Sequence, residues 1–439
     1  MSELLEVILS RENMLEALRK VKANKGASGI DGVTVDEIDQ YFRENWVEIR
    51  DKIRRRRYKP QPVRRVEIPK PNGGVRNLGI PTVADRVIEQ AIVQVLEPFV
   101  DALFSDNSYG FRPKRCAQQA IVKLLEHFND GYTYIVDIDL EKFFDNVPQD
   151  RLMSLVHNII HNIIHDPDTE SLINKYLNAG VMVNGEYEAT PKGTPQGGNL
   201  SPLLSNIMLN ELDRELEARH LCFVRYADDC VIAVRSSAAA NRVMASITKW
   251  IETKLGLKVN ATKTKVTRPN KLKYLGFGFW NDKGEWKAVP HGDSIQKFKR
   301  KLKLLSNRNW SITMDERIKR LNWVIRGWIG YFRMGCMKTA MTRIDQHLRL
   351  RLRIVIWKQW KTSAKRMWGL RKLGVPEWIA KKSVAFGNCY QAVATTPGLN
   401  HIGKDLFTRR GLVSCLDYYI ELNRRMPNGT YGGVRGATC

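Results

Sequence analysis

The chain carries the sequence FVRYADDCVIAV at residues 223–234. Apolar and β-favouring residues lead into and out of its centre, so the stretch predicts a strand, a tight turn and a second strand. Two adjacent carboxylates, Asp228 and Asp229, lie at the turn. Carboxylates in an apolar hairpin are unfavourable unless a positive group binds them, although Asp-Asp is also ordinary turn chemistry. Taken alone, the stretch therefore indicates a cation site and a plain hairpin turn about equally.

A second acidic strand is predicted upstream, in the sequence YTYIVDIDLEKFFDNV at residues 132–147. Period-two alternation places Asp137 and Asp139 on one face, with Ile138 and Leu140 on the other. The apolar lead-in indicates a buried, central strand rather than a solvated edge. Two buried acidic strands from different parts of the chain suggest a site for hard divalent cations such as Mg²⁺. A pair of such ions can activate an attacking oxygen and stabilise the leaving one in a phosphoryl displacement.

Composition narrows the class of protein. The chain has 439 residues, 43% of them hydrophobic, which is enough for a sizeable core and for roughly two to four domains. The formal net charge of +25 points to a polyanionic partner, either nucleic acid or an acidic membrane. No apolar run approaches the ~20 residues that span a bilayer, and the first residues lack the pattern of a signal peptide. We therefore expect a soluble, intracellular protein with no membrane partner.

Most of the positive charge lies in one part of the chain. Residues 297–382 contain 24 lysines and arginines against 4 acidic residues, a net charge of +20, together with 7 of the 11 tryptophans. Helical spacing of the apolar residues predicts a helical bundle with a basic exterior. One of its helices, RIDQHLRLRLRIVIWKQW, carries Arg349, Arg351 and Arg353 around its apolar face. Solvated arginines are the plain interpretation, but a charge asymmetry this strong favours RNA binding by them.

Apolar spacing predicts further elements. Residues 4–24 form one predicted helix, and residues 238–256 form an amphipathic one. Residues 83–104 have the same spacing, with Pro98 marking a kink or a break. Residues 64–80 instead alternate around a Pro-Asn-Gly-Gly turn, which predicts a β-hairpin.

The similarity of this chain to a known family extends well beyond the tetrapeptide YADD. Eight blocks occur in order: SGIDGVTVDEI (28–38), RRVEIPKPNGGVRNLGIPTVADRVIEQAI (64–92), SYGFRP (108–113), DLEKFFD (139–145), GTPQGGNLSPLLSNIMLNELD (193–213), YADD (226–229), LGLKVNATKTKV (255–266) and LKYLGFGF (272–279). Together they resemble the reverse transcriptases encoded by group II introns, and more closely the short bacterial intron-encoded maturases. One polymerase-like tetrapeptide is a weak signal, whereas eight blocks in order are highly specific.

The resemblance implies an α+β fold: a right-hand polymerase with fingers and an antiparallel palm sheet, followed by an α-helical thumb. We expect fingers at 1–80, a palm with some fingers elements at 81–292, the thumb or maturase (X) domain at 293–390, and a short C-terminal tail at 391–439. Many relatives carry a C-terminal endonuclease with paired cysteines and histidines. The seven cysteines here are scattered with no C-x-x-C pair, so we expect the short form without that endonuclease.

The implied activity is that of an RNA-directed DNA polymerase and group II intron maturase, which promotes splicing of intron RNA and copies it into DNA for retrohoming. The implied partners are intron RNA, an RNA template with a DNA or RNA primer, and deoxynucleoside triphosphates. Two Mg²⁺ ions are the implied cofactor, with Mn²⁺ as a substitute. The resemblance also implies a cytoplasmic bacterial protein, with association with the nucleoid as an option, and leaves the oligomeric state open.

Two alternatives remain at this point. One is a domesticated relative that serves DNA repair or phage defence, and the other is a splicing cofactor that only binds RNA. A pure binding protein has no requirement for acidic residues at a polymerase site. All three carboxylates of that site are present, which favours the polymerase.

In the family's pattern, the catalytic residues fall on Asp139, Asp228 and Asp229, and the metal ligands on Asp139, Leu140 and Asp228. Asp139 and Asp228 are expected to bridge the two Mg²⁺ ions, while Asp229 helps to hold the site. Alternation alone does not choose between Asp137 and Asp139, because both point to one face. The family's spacing to the following aromatic pair favours Asp139.

The resemblance also assigns residues to the incoming nucleotide. Lys70 and Arg76 flank the predicted hairpin turn, where both can reach one triphosphate, although a solvated hairpin tip is the plain interpretation. Phe144 matches the aromatic beneath the sugar, where its bulk would exclude a 2′-hydroxyl, unless it is a core residue like Phe143. The remaining candidates are Gln196 beside the nucleotide, and one of Lys263 and Lys265 facing the triphosphate.

Overall fold

A computed structural model of the protein describes residues 3–69, 73–163, 166–195 and 197–424. The chain divides into two compact units, Met1–Arg268 and Pro269–Cys439. Sheets and helices share the first unit, whereas helices make up most of the second. In the described ranges, no helix is both long and apolar enough to cross a membrane. The α+β class predicted from the sequence is confirmed.

The first unit mixes helices and strands along the chain. Its helices are α1 (Glu3–Ile8), α2 (Arg11–Ala23), α3 (Ile38–Arg54), α4 (Val83–Asp101), α5 (Ala117–Asn129), α6 (Phe143–Asn146), α7 (Gln149–Ile163), α8 (Pro167–Leu177), α9 (Ser201–Ala218) and α10 (Ser237–Trp250). Its strands are β1 (Val63–Pro69), β2 (Val75–Ile80), β3 (Tyr134–Ile138), β4 (Val181–Val183), β5 (Glu186–Glu188), β6 (Cys222–Tyr226), β7 (Asp229–Val234) and β8 (Lys265–Thr267). A π-helical turn, Ile251–Leu255, continues α10 through most of the predicted helix 238–256.

Within the described residues of this unit, the strands form two four-stranded sheets. One has the order β2-β1-β4-β5, in which β1 and β2 form the predicted antiparallel hairpin. The other has the order β6-β7-β3-β8 and is antiparallel throughout. Because β7 pairs directly with β3, the two acidic stretches of the sequence lie on neighbouring central strands.

Helices cover the sheet that carries the acidic strands. Ile135 and Val136 of β3, with Val231 and Ile232 of β7, are fully buried. Helix α10 packs against β3, β7 and β8, while α5 and α9 pack against β6. Burying each such side chain stabilises the fold by roughly 1.5–3 kcal/mol. The strands that present the carboxylates are therefore anchored in the core.

Two helices differ from the sequence prediction. Residues 4–24 are not one helix, because Ser10 caps the start of α2 by accepting a hydrogen bond from the backbone N–H of Asn13. A kink or a break is predicted at Pro98; the helix does not break there, since α4 continues through Pro98 to Asp101. Pro98 lies in the last turn, so its missing N–H affects only the end of the helix.

The second unit begins with an antiparallel hairpin of β9 (Phe277–Asp282) and β10 (Glu285–Pro290). Its helices are α11 (Gly292–Leu305), α12 (Met314–Phe332), α13 (Lys338–Gln359), α14 (Ser363–Lys372), α15 (Glu377–Ala385), α16 (Tyr390–Ala394), α17 (Pro397–Asn400), α18 (Lys404–Arg409) and α19 (Cys415–Arg424). Helix α13 packs against α11, α16 and α19, and its Trp357 is fully buried. The basic region thus forms the predicted helical bundle.

Candidate active site

The YADD turn connects β6 to β7. Tyr226 pairs with Asp229, and between them Ala227 has a left-handed backbone conformation, with φ of +56°. An alanine in this conformation is strained, so contacts from outside the turn must hold it there. Asp228 follows directly. The position of its carboxylate therefore depends on what stabilises Ala227.

Arg225 stabilises this turn. Its Nη1 donates to the carbonyl oxygen of Ala227 at 2.9 Å and to Oδ1 of Asn206 at 3.1 Å. Its Nε and Nη2 donate to the two carboxylate oxygens of Asp213 at 2.7 and 2.5 Å, and both side chains are fully buried. Two parallel bonds of this kind fix the orientation of a guanidinium. Neither residue was expected from the sequence, because no local pattern links an arginine on a strand to an aspartate on the preceding helix.

A glycine from a distant loop also contacts the turn. A Cβ at Gly110 would lie 2.1 Å from the backbone nitrogen of Ala227, so only glycine fits. The neighbouring Tyr109 N–H donates to the carbonyl oxygen of Arg225 at 2.9 Å. The block SYGFRP therefore supports the YADD turn. The block was visible in the sequence, but its partner was not.

Four aspartates collect near the ends of β3 and β7. Asp139 follows β3 directly, and Asp229 begins β7. Partial burial raises the pKa of Asp228, and the charge of Asp139 raises it further. Asp229 is exposed as a residue. Even so, the surrounding protein and then the charges of Asp228, Asp137 and Asp139 raise the pKa of Asp229 to about 7.

Two lysines lie beside different aspartates. Nζ of Lys263 is 3.1 Å from each carboxylate oxygen of Asp139. Lys265 lies opposite Asp137 in the β8–β3 pairing, and its charge partly offsets the rise that burial causes in the pKa of Asp137. The structure thus separates two lysines that the sequence left equivalent. A triphosphate contact by either one stays a prediction.

The donor set fits a divalent cation. Mutual repulsion contributes to the raised pKa of Asp228 and Asp229, so the cluster favours added positive charge. The ammonium group of Lys263 already supplies one positive charge beside Asp139. This ion pair is weak, because the lysine side chain is 65% exposed. Leu140 has no ligand atom in its side chain, so only its backbone carbonyl could take the predicted metal role. In the described ranges, no three His, Cys, Asp or Glu side chains form a metal-binding group; Mg²⁺ needs no such cage, since it binds few carboxylates and completes its shell with water and phosphate.

A pocket of about 350 Å³ lies between the β1–β2 hairpin, α6 and residues 190–195. Phe144 lines this pocket, whereas Phe143 is only 3% exposed and belongs to the core. The two rings meet edge to face, with their centroids 5.3 Å apart. Phe144 is therefore the phenylalanine that a ligand can contact. Its role in sugar selection stays a prediction.

The loop that closes this pocket is held against Phe144. The N–H of Thr194 donates to the carbonyl oxygen of Phe144 at 2.7 Å. Gly193 has φ of +89°, and a Cβ there would lie 2.8 Å from that same oxygen. The hydroxyl of Thr194 is buried and lacks a hydrogen-bond partner among the described residues. It is a polar group at the pocket that a ligand can satisfy.

Glu89 of α4 supports the far end of the loop. Its Oε2 accepts the backbone N–H of Asn199 at 2.6 Å, and a Cβ at Gly198 would lie 3.0 Å from that oxygen. Complete burial raises the pKa of Glu89 to about 8, and the nearby Asp85 adds to the rise. Glu89 was not expected from the sequence, where it is one polar position in an otherwise ordinary helical pattern.

The residues predicted to contact the triphosphate are only partly described. Arg76 is exposed on β2, and its charge partly offsets the rise in the pKa of Asp228. Lys70 and Gln196 lie outside the described residues. The pocket is also lined by three cations that were not among the predicted site residues: Arg65, Lys142 and Lys192.

Two of the three candidate RNA-binding arginines are engaged within the second unit. Nε of Arg351 donates to Oγ of Ser306 at 2.7 Å, and its Nη2 donates to the carbonyl oxygen of Lys303 at 2.9 Å. Nη1 of Arg353 donates to Oδ1 of Asn400 at 2.7 Å. These bonds connect α13 to the end of α11 and to the end of α17. Both guanidiniums therefore stabilise the fold, and RNA contact by the set stays a prediction.

Two family models match this chain. Residues 68–279 match the model described as reverse transcriptase (RNA-dependent DNA polymerase). Residues 295–374 match the model described as group II intron, maturase-specific domain. The sheet with the YADD turn lies in the first range, and helices α12 and α13 lie in the second. The matches thus define an RNA-directed DNA polymerase joined to a maturase-specific region.

Individual relatives narrow this class. The chain is 33% identical to protein YkfC of Escherichia coli (strain K12) over 307 residues, which cover 61% of this chain and 80% of that protein. It is 39% identical to the group II intron-encoded protein LtrA of Lactococcus lactis subsp. cremoris over 199 residues, 45% of this chain and 32% of that protein. An uncharacterized 91 kDa protein in the cob intron of Schizosaccharomyces pombe is 29% identical over 339 residues, 62% of this chain and 40% of that protein. The chain therefore belongs to the group II intron-encoded reverse transcriptase and maturase family, as its sequence blocks predicted, and it spans about a third of the length of LtrA.

Proposed function

We propose that this protein is an active RNA-directed DNA polymerase that also serves as the maturase of a group II intron. As a polymerase it extends a DNA or RNA primer on an RNA template with deoxynucleoside triphosphates. As a maturase it binds intron RNA, promotes splicing, and copies that RNA into DNA for retrohoming. The observation that carries the proposal is the collection of Asp139, Asp228 and Asp229 at the ends of β3 and β7, in a chain that also contains a maturase-specific region.

The carboxylates position the reacting groups in this proposal. Asp139 and Asp228 would hold two Mg²⁺ ions, or Mn²⁺ in their place, and Asp229 helps to hold the site. When bound, the metal ions activate the primer 3′-hydroxyl and stabilise the leaving pyrophosphate. The anchored strands β3 and β7 keep the two carboxylates at a fixed separation. The 3′-hydroxyl of the primer and the α-phosphate of the nucleotide are therefore held close together in a reactive orientation. Lys263, which lies beside Asp139, would supply a cation to a triphosphate oxygen.

The pocket beside Phe144 holds the incoming nucleotide. Phe144 lies beneath the sugar and excludes a 2′-hydroxyl by its bulk, and Thr194 offers its buried hydroxyl to the ligand. Arg76 and Lys70 neutralise the triphosphate from the hairpin, because cations pair well with phosphate oxygens. Gln196 lies beside the nucleotide.

The maturase-specific range supplies the surface for intron RNA. A pocket of about 440 Å³ between α11 and α13 is lined by cations and, among the described residues, by no acidic side chain; the cations are Lys299, Arg300, Lys303, Arg343 and Arg351. Burial, and then the charges of the neighbouring cations, lowers the pKa of His347 in the same pocket. Concentrated positive charge attracts RNA phosphates. We therefore propose that intron RNA contacts this pocket as well as Arg349, Arg351 and Arg353.

The match to a maturase-specific family favours a role in intron splicing over DNA repair or phage defence. The test uses the purified protein in two assays. One measures extension of a primed RNA template with deoxynucleoside triphosphates and Mg²⁺. The other measures splicing of the group II intron that flanks the gene, at a Mg²⁺ concentration where the RNA alone splices poorly.

The proposal expects full-length complementary DNA in the first assay and faster splicing in the second. Extension without enhanced splicing would remove the maturase function. Enhanced splicing without extension would reduce the protein to an RNA-binding cofactor. A protein with neither activity would contradict the proposal as a whole.

A further inference from the structure

A second pocket of the maturase-specific range lies between α11 and α12. Its volume is about 410 Å³. The rings of Phe298 and Trp328 line it and stack in parallel, with their centroids 4.4 Å apart. The ring centroids of Trp328 and Phe332 are 4.6 Å apart, so this wall of the pocket is packed against other side chains of the unit. The pocket therefore has a flat, apolar and preformed side.

Two other residues of the pocket leave it open to a ligand. Trp323 lines the pocket and is 78% exposed, although tryptophans in folded proteins are mostly well buried. Gly327, one helical turn further along α12, leaves an empty space, because a Cβ there would meet nothing within 4 Å. An exposed indole next to an unfilled space can accept a second flat ring. Neither feature is needed to build the core of the unit.

Charge surrounds this apolar surface. Lys297 and Lys301 lie one helical turn apart on α11, and both are exposed and line the pocket. Among the described residues that line it, none is acidic. The pocket therefore combines an exposed aromatic ring with flanking cations. Proteins that bind unstacked bases use this combination, stacking the base on the ring and pairing phosphates with the cations.

We propose that this pocket takes one unpaired nucleobase of RNA, which stacks on Trp323 while Lys297 and Lys301 contact the adjacent phosphates. The proposal rests on the RNA-binding function proposed above and adds the feature that is recognised, a bulged or looped-out nucleotide. The net charge of +20 over residues 297–382 favours RNA over a protein segment as the occupant. A paired duplex cannot occupy the pocket in this way, because its bases remain stacked on each other.

The test compares two RNA hairpins that differ only by one bulged adenosine, bound to the full-length protein at fixed salt. Gly327→Leu adds a side chain at the pocket, at a position where the new Cβ meets no atom within 4 Å, and Trp323→Ala removes the stacking surface. The matched control is Gly330→Leu on the same helix, where an added Cβ also meets nothing within 4 Å but the residue does not line the pocket. Trp323→Phe keeps an aromatic ring and serves as the conservative variant.

The wild-type protein is expected to bind the bulged hairpin about 5- to 150-fold more tightly than the paired one, the range that one base-stacking contact produces. Gly327→Leu and Trp323→Ala should remove this preference while keeping affinity for the paired hairpin. Gly330→Leu and Trp323→Phe should retain the preference. Equal affinity of the wild type for both hairpins, or a preference that Gly327→Leu leaves intact, would overturn the proposal of a nucleobase site. RNA binding as such would then still stand, whereas failure to bind either hairpin would overturn RNA binding by this region and leave the polymerase proposal to its own assay.

Discussion

The guanidinium of Arg225 donates a hydrogen bond to the carbonyl oxygen of Ala227 at 2.9 Å, one residue before Asp228. The same guanidinium is fixed by two bonds to the fully buried carboxylate of Asp213. A buried ion pair contributes little net stability by itself, because both charges lose their hydration. This pair does hold a strained residue of the YADD turn in place. We therefore interpret it as a positioning element for the carboxylate of Asp228.

Arg225→Met should separate the stability of this pair from its positioning role. The substitution leaves Asp213 buried without its partner, so the free energy of unfolding should fall by about 3–5 kcal/mol. The double variant Arg225→Met, Asp213→Leu removes both charges and should recover most of that loss. Its rate of primer extension should stay low, because Ala227 still lacks its donor. Urea unfolding and primer extension measure the two effects, and recovery of the rate together with stability would show that the pair is only structural.

Asp228→Ala should abolish synthesis of complementary DNA and leave affinity for RNA nearly unchanged. Removing a metal ligand deletes charge stabilisation that contributes several kcal/mol to phosphoryl transfer. The RNA-binding surface proposed here lies in the maturase-specific range, which the substitution does not touch. Primer extension beside an RNA-binding assay measures both quantities. Substantial extension by the variant would remove Asp228 from the site.

Phe144→Ala should relax discrimination between deoxynucleotides and ribonucleotides. The smaller side chain leaves room for the 2′-hydroxyl at the wall of the pocket. Phe143→Ala is the matched control, since Phe143 is buried in the core and its loss should instead lower the free energy of unfolding by about 3–5 kcal/mol. Incorporation of both nucleotide types on the same template gives the ratio. If that ratio is unchanged and activity is retained, Phe144 is not the sugar gate.

Glu89→Gln should change the pH dependence of stability in a defined direction. The pKa of Glu89 rises from 4.5 to about 8 on folding, so the folded protein holds a proton that the unfolded chain has released. The contribution of this group to stability is therefore fully present below about pH 4.5 and is lost as the pH rises through about 8. Glutamine does not titrate. The stability of the variant relative to wild type should increase over this window, by at most about 1.4 kcal/mol per pH unit, and level off above it.

Urea unfolding of both proteins across this range measures the difference. Asp85, which lies near Glu89 on the same helix, is present in both proteins, so its own titration contributes to the stability of both. A difference in stability that does not vary with pH would show that Glu89 is already ionised in the folded protein.

Local patterns explain what the sequence predicted well. The alternation around Asp137 and Asp139 and the hairpin around YADD each depend on a few neighbouring residues, so strand positions follow from them. The cap at Ser10 is also local, and the split between α1 and α2 could have been predicted from it. The two acidic strands suggested a shared cation site, but their direct pairing in one sheet was not predicted, because long-range pairing has no local signal.

The missed features are contacts between distant residues. The spacing of apolar residues distinguishes the buried face of α13 from its other faces. It does not show that Arg351 and Arg353 donate hydrogen bonds to neighbouring elements. Likewise, only the register of β8 against β3 distinguishes Lys265 from Lys263. For a long side chain, a position outside the apolar face does not mean that its charge is available to a ligand.

The last prediction separates splicing from polymerisation. Binding to the folded intron shifts its folding equilibrium by mass action and needs no chemistry from the protein. Asp228→Ala protein should therefore still promote splicing at low Mg²⁺. Splicing should instead be lost, with extension of a short primed template retained, in a variant in which three of the pocket cations are replaced by glutamine: Lys299, Lys303 and Arg343. Arg351 and Arg353 are left intact because their internal bonds support the fold.

The salt dependence of RNA binding checks the same surface. Each lost phosphate contact should lower the slope of log affinity against log salt by roughly 0.7–0.9. A control with equal loss of charge replaces three exposed lysines of the first unit: Lys249, Lys254 and Lys258. It should change the slope less than the pocket variant does. If both variants lower the slope equally and splicing survives in each, the pocket between α11 and α13 is not the site of intron recognition, and the polymerase proposal stands without it.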